Sequence, residues 1–296
     1  MDKRKYLDPS MVAKLNNMQL RARLVVEGYM IGYHKSPYHG FSVEFAEHRS
    51  YGHGDEVRHI DWKLYGKTDR YYVKRFEEET NVRSHILLDS SQSMKFGSGS
   101  VNKLSYATYL SAALTYLMLS QKDAVGLVLF DEKIKKFIPP KSTQSHSNII
   151  MKTLEKVTPG YDTQIRPVLD SMAERIRKRG LIILISDLLD DPEKVLMGLK
   201  HFRYNKQEII VFHLMDPEEY NFDFGERIQF TDMESGESIT TDPWHIRKAY
   251  KNQIDQFNKT YQYGCRNLKI DYVPLFTNQP LDIALNEFLN KRQKLK

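Results

Sequence analysis

Apolar residues recur at helical spacing from Ser10 to about Glu27, at Met11, Leu15, Met18, Leu24 and Val25. This spacing predicts one amphipathic helix with Ser10 as its cap. Residues 28–80 lose that period. They are rich in Gly, His, Tyr and charge, with short β-prone pieces such as Tyr71-Tyr72-Val73, and they predict an irregular, strand-containing region. From residue 84 short apolar runs alternate with helical patterns. Ile86–Leu88, Ala124–Phe130, Leu181–Ile185, Ile209–Leu214 and Ile270–Leu275 read as strands. Leu104–Leu119, Ile149–Val157, Val168–Arg179, Glu193–Arg203, Pro243 to about Tyr263, and Leu281–Arg292 read as helices. Continuous Val/Ile/Leu runs separated by helices predict a parallel sheet covered on both faces. Residues 227–241 break the rhythm with two β-prone pieces around Gly236, a hairpin signal.

The expected fold class is therefore α/β, a doubly wound, mostly parallel sheet with a β-hairpin insertion. The expected division is residues 1–80 as an N-terminal helix and irregular β region, and 81–296 as the α/β domain carrying the hairpin. Composition agrees with a globular chain: 41% hydrophobic and 28% charged over 296 residues is too apolar for disorder. Lys and Arg number 44 against 38 Asp and Glu, a surplus of +6. That surplus is mild for this length, and no basic stripe accompanies it, so nucleic acid is not an expected partner. Lys291, Arg292, Lys294 and Lys296 contribute to it and read as a solvated tail. Cys265 is the single cysteine, which excludes an internal disulfide. The charged start, Met1-Asp2-Lys3-Arg4-Lys5, lacks the apolar core of a secretory signal. The longest apolar stretch, Ala107–Leu119, is shorter than the ~20 residues a membrane span needs. The expectation is a soluble, cytoplasmic protein without a membrane span.

The most informative local motif is Asp89-Ser90-Ser91-Gln92-Ser93, a D-x-S-x-S loop directly after an apolar strand. Ligands of doubly wound sheets bind beyond the carboxyl ends of the strands. One carboxylate and two hydroxyls on one short loop are hard oxygen donors, which suit Mg²⁺. The strand Leu181–Ile185 likewise ends near an acid, Asp187, and Gly160-Tyr161-Asp162-Thr163 places a loop hydroxyl before a helix. The bland alternative is a strand-end turn whose serines cap the next helix.

This set resembles the metal-ion-dependent adhesion site of von Willebrand factor A domains, with all three parts in that family's order. The resemblance implies Ser91, Ser93 and Thr163 as hydroxyl ligands of Mg²⁺ or Mn²⁺, with Asp89 and Asp187 accepting from metal-bound waters or from the serines. It leaves an open position that a partner carboxylate completes. More broadly, residues 10–292 resemble a bacterial domain-of-unknown-function family of von Willebrand A-like proteins associated with MoxR-type AAA ATPases. The resemblance is carried by Gly40-Phe41-Ser42-Val43-Glu44-Phe45, Arg49, Tyr51, Gly54-Asp55, Arg58-His59-Ile60-Asp61-Trp62-Lys63, Val73-Lys74, Glu77-Glu78-Glu79 and the Asp89–Met94 loop. The Met233-Glu234-Ser235-Gly236 turn and the Tyr250, Cys265 and Tyr272 segments also fit. That family more often shows Ala-Arg-Thr-Gly-Arg where this chain has Gly66-Lys67-Thr68-Asp69-Arg70. The resemblance implies an adaptor that works with such an ATPase in protein maturation or assembly.

Other features carry less. Arg58–Lys63 reads either as packing, with Trp62 in a core and Arg58 paired to Asp61, or as a docking surface. His34, His39, His48, His53 and His59 cluster in sequence without metal-ligand spacing on a helix, and His146 reads as a solvated loop residue. Phe96–Ser100 reads as a flexible loop, and Met94 and Met118 as core. No G-x-x-x-x-G-K-[ST] loop and no nucleophile elbow occur. No Lys or His stands at a strand end as an evident base. The expected function is thus a non-enzymatic, metal-dependent protein-binding module. The alternative is a Mg²⁺-dependent hydrolase or phosphoryl-transfer enzyme acting through Asp89.

Overall fold

The structure is a computed structural model that describes residues 8–15, 17–33, 48–52, 62–74, 82–160, 164–224, 228–231 and 238–294. Two units divide the chain, one formed by residues 1–35 with 82–296 and the other by 36–81. In chain order the elements are α1 (Pro9–Ala13), α2 (Met18–Tyr33), β1 (His48–Ser50), α3 (Trp62–Thr68), β2 (Tyr72–Lys74), β3 (Arg83–Asp89), α4 (Lys103–Ser120), β4 (Ala124–Phe130) and β5 (Ile134–Lys141). Then follow α5 (Gln144–Leu154), α6 (Ile165–Arg175), β6 (Leu181–Ser186), α7 (Pro192–Tyr204), β7 (Glu208–Met215), α8 (Pro217–Asn221), β8 (Ile228–Thr231), β9 (Ser238–Thr241), α9 (Pro243–Asn267), β10 (Asp271–Phe276) and α10 (Asp282–Lys294).

The apolar runs form one six-stranded sheet in the order β10-β7-β6-β3-β4-β5, parallel except for the β4–β5 pair. Alternation along each strand sends side chains to two cores. Ile86 and Leu88 of β3, Leu127 of β4, Ile183 of β6 and Phe212 of β7 join a core with α1, α2, α4, α5 and α10. Leu87, Val128, Leu184 and Val211 join a second core with α6, α7 and α9. This is the doubly wound α/β architecture that the apolar runs predict. Helix α4 is buried on nearly every side because α2 and α5 pack against it in addition to the sheet.

Strand β5 escapes the hydrophobic pattern. It carries Lys135, Lys136, Pro139 and Pro140 and is mostly solvent-facing, as an outermost strand tolerates. The other outermost strand, β10, carries Pro274. The β4–β5 register shifts between Val125 and Leu127, and at Gly126 a Cβ would come within 2.6 Å of the Ile138 carbonyl oxygen and 2.9 Å of the Pro140 nitrogen. Backbone rather than a flexible side chain sets that limit. Gly126→Ala is therefore expected to cost about 1–3 kcal/mol, as overpacking does. Urea midpoints measure it, and an unchanged midpoint would mean that β5 moves freely away.

The N-terminal stretch differs from the single helix predicted. It forms α1 and α2 around a turn, because Asn17 accepts a hydrogen bond from the Gln19 amide (2.7 Å) and so starts a new helix. The cap of α1 is Asp8, which accepts from the Ser10 amide (2.8 Å), rather than Ser10 itself. Residues 1–35 share a unit with the sheet because α2 packs on α4, and the second unit spans 36–81.

His146 is buried at the start of α5, with Nε2 3.0 Å from the Val125 carbonyl, and is not a solvated loop residue. The basic end of the chain is also not a free tail through Arg292. Lys291 pairs with Glu208 (2.8 Å) and Asp271 (3.0 Å), and Arg292 forks onto buried Asp123. Met94 and Met118 are in the core as expected. The hairpin of β8 and β9 is present, with antiparallel register Ile228↔Thr241 to Thr231↔Ser238, and its turn at Gly236 lies outside the described residues.

In the second unit β1 pairs with β2 in antiparallel register, Arg49 opposite Val73. Tyr65 stacks on Tyr71 with ring centroids 4.5 Å apart, and Trp62 meets both rings edge-on. Trp62 is 56% exposed, so it does not anchor a core as the packing reading expects, while Arg58 and Asp61 lie outside the described residues. Asp69 has a φ of 51°, in the left-handed region, at the position where the resembled family more often has glycine. Aspartate is among the few side chains that accept that conformation.

Candidate metal centre

Strand β3 is followed through α4 by β4 on one side, whereas β6 lies on its other side. The two strands are parallel, but the order in which strands are added reverses between β3 and β6, and a crevice opens beyond their carboxyl ends at such a point. Asp89 closes β3 and Ser186-Asp187 closes β6, so two motifs almost a hundred residues apart in sequence meet there.

Asp89 is fully buried. One carboxylate oxygen accepts the Ser91 amide (2.9 Å) and the other accepts the Ser186 hydroxyl (2.6 Å). Ser186 in turn accepts the amide of Leu188 (2.9 Å), a buried residue held at φ 54°. Bulky side chains at positive φ cost about 1–3 kcal/mol, so the turn after β6 is held by its surroundings. Ser90 turns away from the crevice: its amide (2.8 Å) and hydroxyl (2.9 Å) both bond the Phe130 carbonyl. The Ser91 and Ser93 hydroxyls remain and face each other at 3.0 Å.

Of the five residues expected to form the site, four are thereby brought to one place: Asp89, Ser91, Ser93 and Asp187. Thr163 lies outside the described residues. The ends of its loop are fixed at the crevice. The Gly160 amide donates to the Ser90 carbonyl (2.6 Å), and the Ile165 amide donates to Asp190 (2.9 Å).

Sequence reasoning missed the residues that balance the charge. Lys103 is fully buried, and its ammonium donates to Asp187 (2.8 Å) and to Glu219 of α8 (3.0 and 3.2 Å). Burial works against its charge, but the two carboxylates outweigh burial and hold it above the ordinary lysine value. The available signal is a lysine in the first turn of an otherwise apolar helix, where the helix dipole disfavours a cation. Asp216, at the end of β7, caps α8 and accepts from the Ser98 amide (3.0 Å) and hydroxyl (2.5 Å) and from Thr277 (3.0 Å). Ser98, expected in a flexible loop, is therefore tied to the strand ends. His213 on β7 is buried with Nδ1 2.6 Å from the Tyr272 hydroxyl, and desolvation lowers it to about 4 despite the opposing field of Asp187. His213 thus lies near the end of β7, and Lys103 reaches the strand ends from the first turn of α4, both with committed partners.

The donor set fits a hard divalent cation. Two hydroxyls converge, and one buried ammonium meets two carboxylates, Asp187 and Glu219, while a third, Asp89, is buried beside Asp187 without it. Burial, and then the Asp187 charge, push Asp89 up to about 7 against the hydrogen bonds from Ser186 and Ser91. Unbalanced buried negative charge is costly, and a cation at the hydroxyl pair offsets it. Among the described residues no three His, Cys, Asp or Glu side chains converge as ligands, so such a cation depends on the hydroxyls.

The family model described as "Protein of unknown function DUF58" matches residues 47–260. The chain belongs to this DUF58 family. An uncharacterized protein of Mycobacterium tuberculosis (strain ATCC 25618 / H37Rv) is 24% identical over 233 residues, covering 77% of this chain and 73% of that protein. An uncharacterized protein of Mycobacterium bovis matches to the same extent. Among solved structures, an aerotolerance-related membrane protein from Bacteroides fragilis superposes with a TM-score of 0.50 at 19% identity, over 71% of this chain and 99% of that one. That likeness shows the shared α/β fold. The VWA domain of SpRpn10 aligns with a TM-score of 0.41 at 12% identity, over 70% of this chain and 95% of that one. In this DUF58 chain, no helix among the described residues is long and apolar enough to cross a membrane.

Proposed function

We propose that this chain is a non-enzymatic, metal-dependent protein-interaction module. Mg²⁺ or Mn²⁺ would be held by the hydroxyls of Ser91, Ser93 and Thr163, with Asp89 and Asp187 orienting them and accepting from bound water. The observation that carries the reading is the Ser91–Ser93 hydroxyl pair above the buried Asp89 at the reversal point of the sheet. Neutral oxygen ligands leave the ion's charge directed at its open position, which an Asp or Glu of a partner protein completes. By family resemblance that partner is a MoxR-type AAA ATPase or its client, in the cytoplasm, with this chain as the adaptor in protein maturation or assembly.

The measurement is calorimetric titration of Mg²⁺ and Mn²⁺ into the full chain. One binding event is expected, lost in Asp89→Ala, together with a rise in melting temperature because the ion binds the folded state. Absence of both heat and thermal shift at millimolar metal would reject the site. For the partner, co-purification with a MoxR-type ATPase is expected in Mg²⁺ and lost in EDTA, in Ser91→Ala and in Thr163→Ala. Equal recovery in all four would place docking on another surface.

The second reading is a Mg²⁺-dependent phosphoryl-transfer or hydrolytic enzyme. Asp89 as a nucleophile is disfavoured because both its oxygens already accept hydrogen bonds and none of it is exposed. Lys103 is held as a cation by two carboxylates, and the cavity bordering Asp187, His213 and Glu219 is about 10 Å³, room for roughly one water. Purified protein is expected to turn over no phosphoester, nucleotide or peptide. Steady turnover that disappears in Asp187→Ala would establish the enzyme instead.

A further inference from the structure

Lys103 is a costly residue to bury, and its placement asks for a reason. Its ammonium sits between two carboxylates that belong to different parts of the fold. Asp187 closes β6 in the crevice; Glu219 stands on α8, outside the serine loop. The two contacts are close to equal, 2.8 Å to Asp187 and 3.0 Å to Glu219, so a small movement of one flexible side chain shifts the charge from one to the other. Any cation at the Ser91–Ser93 hydroxyls shares the Asp187 region with this ammonium, and two like charges in a buried site repel strongly. Glu219 is itself a member of the reciprocal cap of α8 with Asp216, whose carboxylate ties Ser98 and Thr277. A shift of Lys103 therefore reaches α8 and the loop that precedes α4.

The geometry points to Lys103 as an internal competitor for the cation, occupying Asp187 while the site is free of metal and moving its charge onto Glu219 when a divalent ion binds. This inference rests on the proposed cation site. It makes metal affinity a property that the α4–α8 contact sets, and by reciprocity makes the α8 surface sensitive to metal.

The test is Mn²⁺ titration into the full chain for wild type, Lys103→Gln, Glu219→Gln and Asp89→Ala, followed by calorimetry and thermal shift. Lys103→Gln is expected to bind Mn²⁺ about tenfold more tightly, within the range that coupled sites show. Its melting temperature should also rise more on adding Mn²⁺ than that of wild type. Glu219→Gln removes the alternative partner and is expected to weaken Mn²⁺ binding several-fold. Hydrogen exchange at residues 217–221 should change on adding Mn²⁺ to wild type and not to Lys103→Gln. If wild type binds and Lys103→Gln binds no more tightly, the competitor role is overturned while the cation site stands. Should Lys103→Gln fail to fold, Glu219→Gln decides, and an unchanged affinity there overturns the role. If none of the four proteins binds, the cation site and the role of Lys103 fall together.

Discussion

Arg292→Ala is expected to lose about 3–5 kcal/mol of folding stability, far more than a residue near the end of a chain ordinarily contributes. Its guanidinium forks onto Asp123 with contacts of 2.5 and 3.1 Å, and the Asp123 side chain is 1% exposed. Asp123 sits in the turn from α4 to β4 and also accepts the Val82 amide (3.1 Å), just before β3. Truncating the arginine leaves that carboxylate buried with the Val82 amide as its one donor among the described residues. Neighbouring contacts do not replace the loss: Lys291 is engaged with Glu208 and Asp271, and Tyr29 holds Asn286 on another turn of α10. Urea denaturation of Arg292→Ala, Asp123→Ala and the double variant measures the effect. The double variant should be less destabilised than the two single losses combined, because it leaves no buried charge unpaired. A loss below about 1 kcal/mol in Arg292→Ala is what an exposed pair gives, and would refute the buried fork.

Mild acid should be the second large effect. His85 lies on β3 among buried residues, its Nδ1 has no hydrogen-bond partner among the described residues, and desolvation, followed by the nearby Arg83 charge, lowers it from 6.5 to about 4. Above pH 6.5 the imidazole is neutral both folded and unfolded, and its full contribution is present. As pH falls below 6.5 the unfolded chain takes up the proton first, so stability declines until about pH 4. The difference amounts to about 3 kcal/mol at about 1.4 kcal/mol per pH unit, of which about 2 kcal/mol is gone by pH 5. His85→Leu, an apolar replacement of comparable size, should remove the His85 share of this slope and leave the like contribution of His213 and the opposite one of Asp89, whose raised carboxyl takes up its proton first in the fold. Chemical denaturation of both proteins at pH 7, 6 and 5 measures it. Parallel curves would show that His85 finds a proton-compatible environment in the fold.

Strands β3, β4, β6 and β7 and the serine loop were legible along the chain because each is a local pattern. A strand buried on both faces is apolar along a continuous run, and D-x-S-x-S is complete within five residues. The hairpin strands and the helices α4, α7 and α9 were legible for the same reason, through period and turn chemistry. What tertiary structure decided is how charge and edges are used. Strand β5, with its lysines and prolines, is a strand only because it lies at the rim of the sheet, where half its surface meets water. Trp62 carries no mark in sequence that says it stays exposed, and α1 and α2 separate only where Asn17 finds the Gln19 amide. The charge partners are the clearest case: Lys103 meets Asp187 across 84 residues and Glu219 across 116, and Arg292 meets Asp123 across 169. Hydrophobic period is a property of neighbours and is written along the chain. The neutralisation of a buried carboxylate depends on which distant cation the folded sheet brings within hydrogen-bonding reach, and that is settled only when the strands have taken their order.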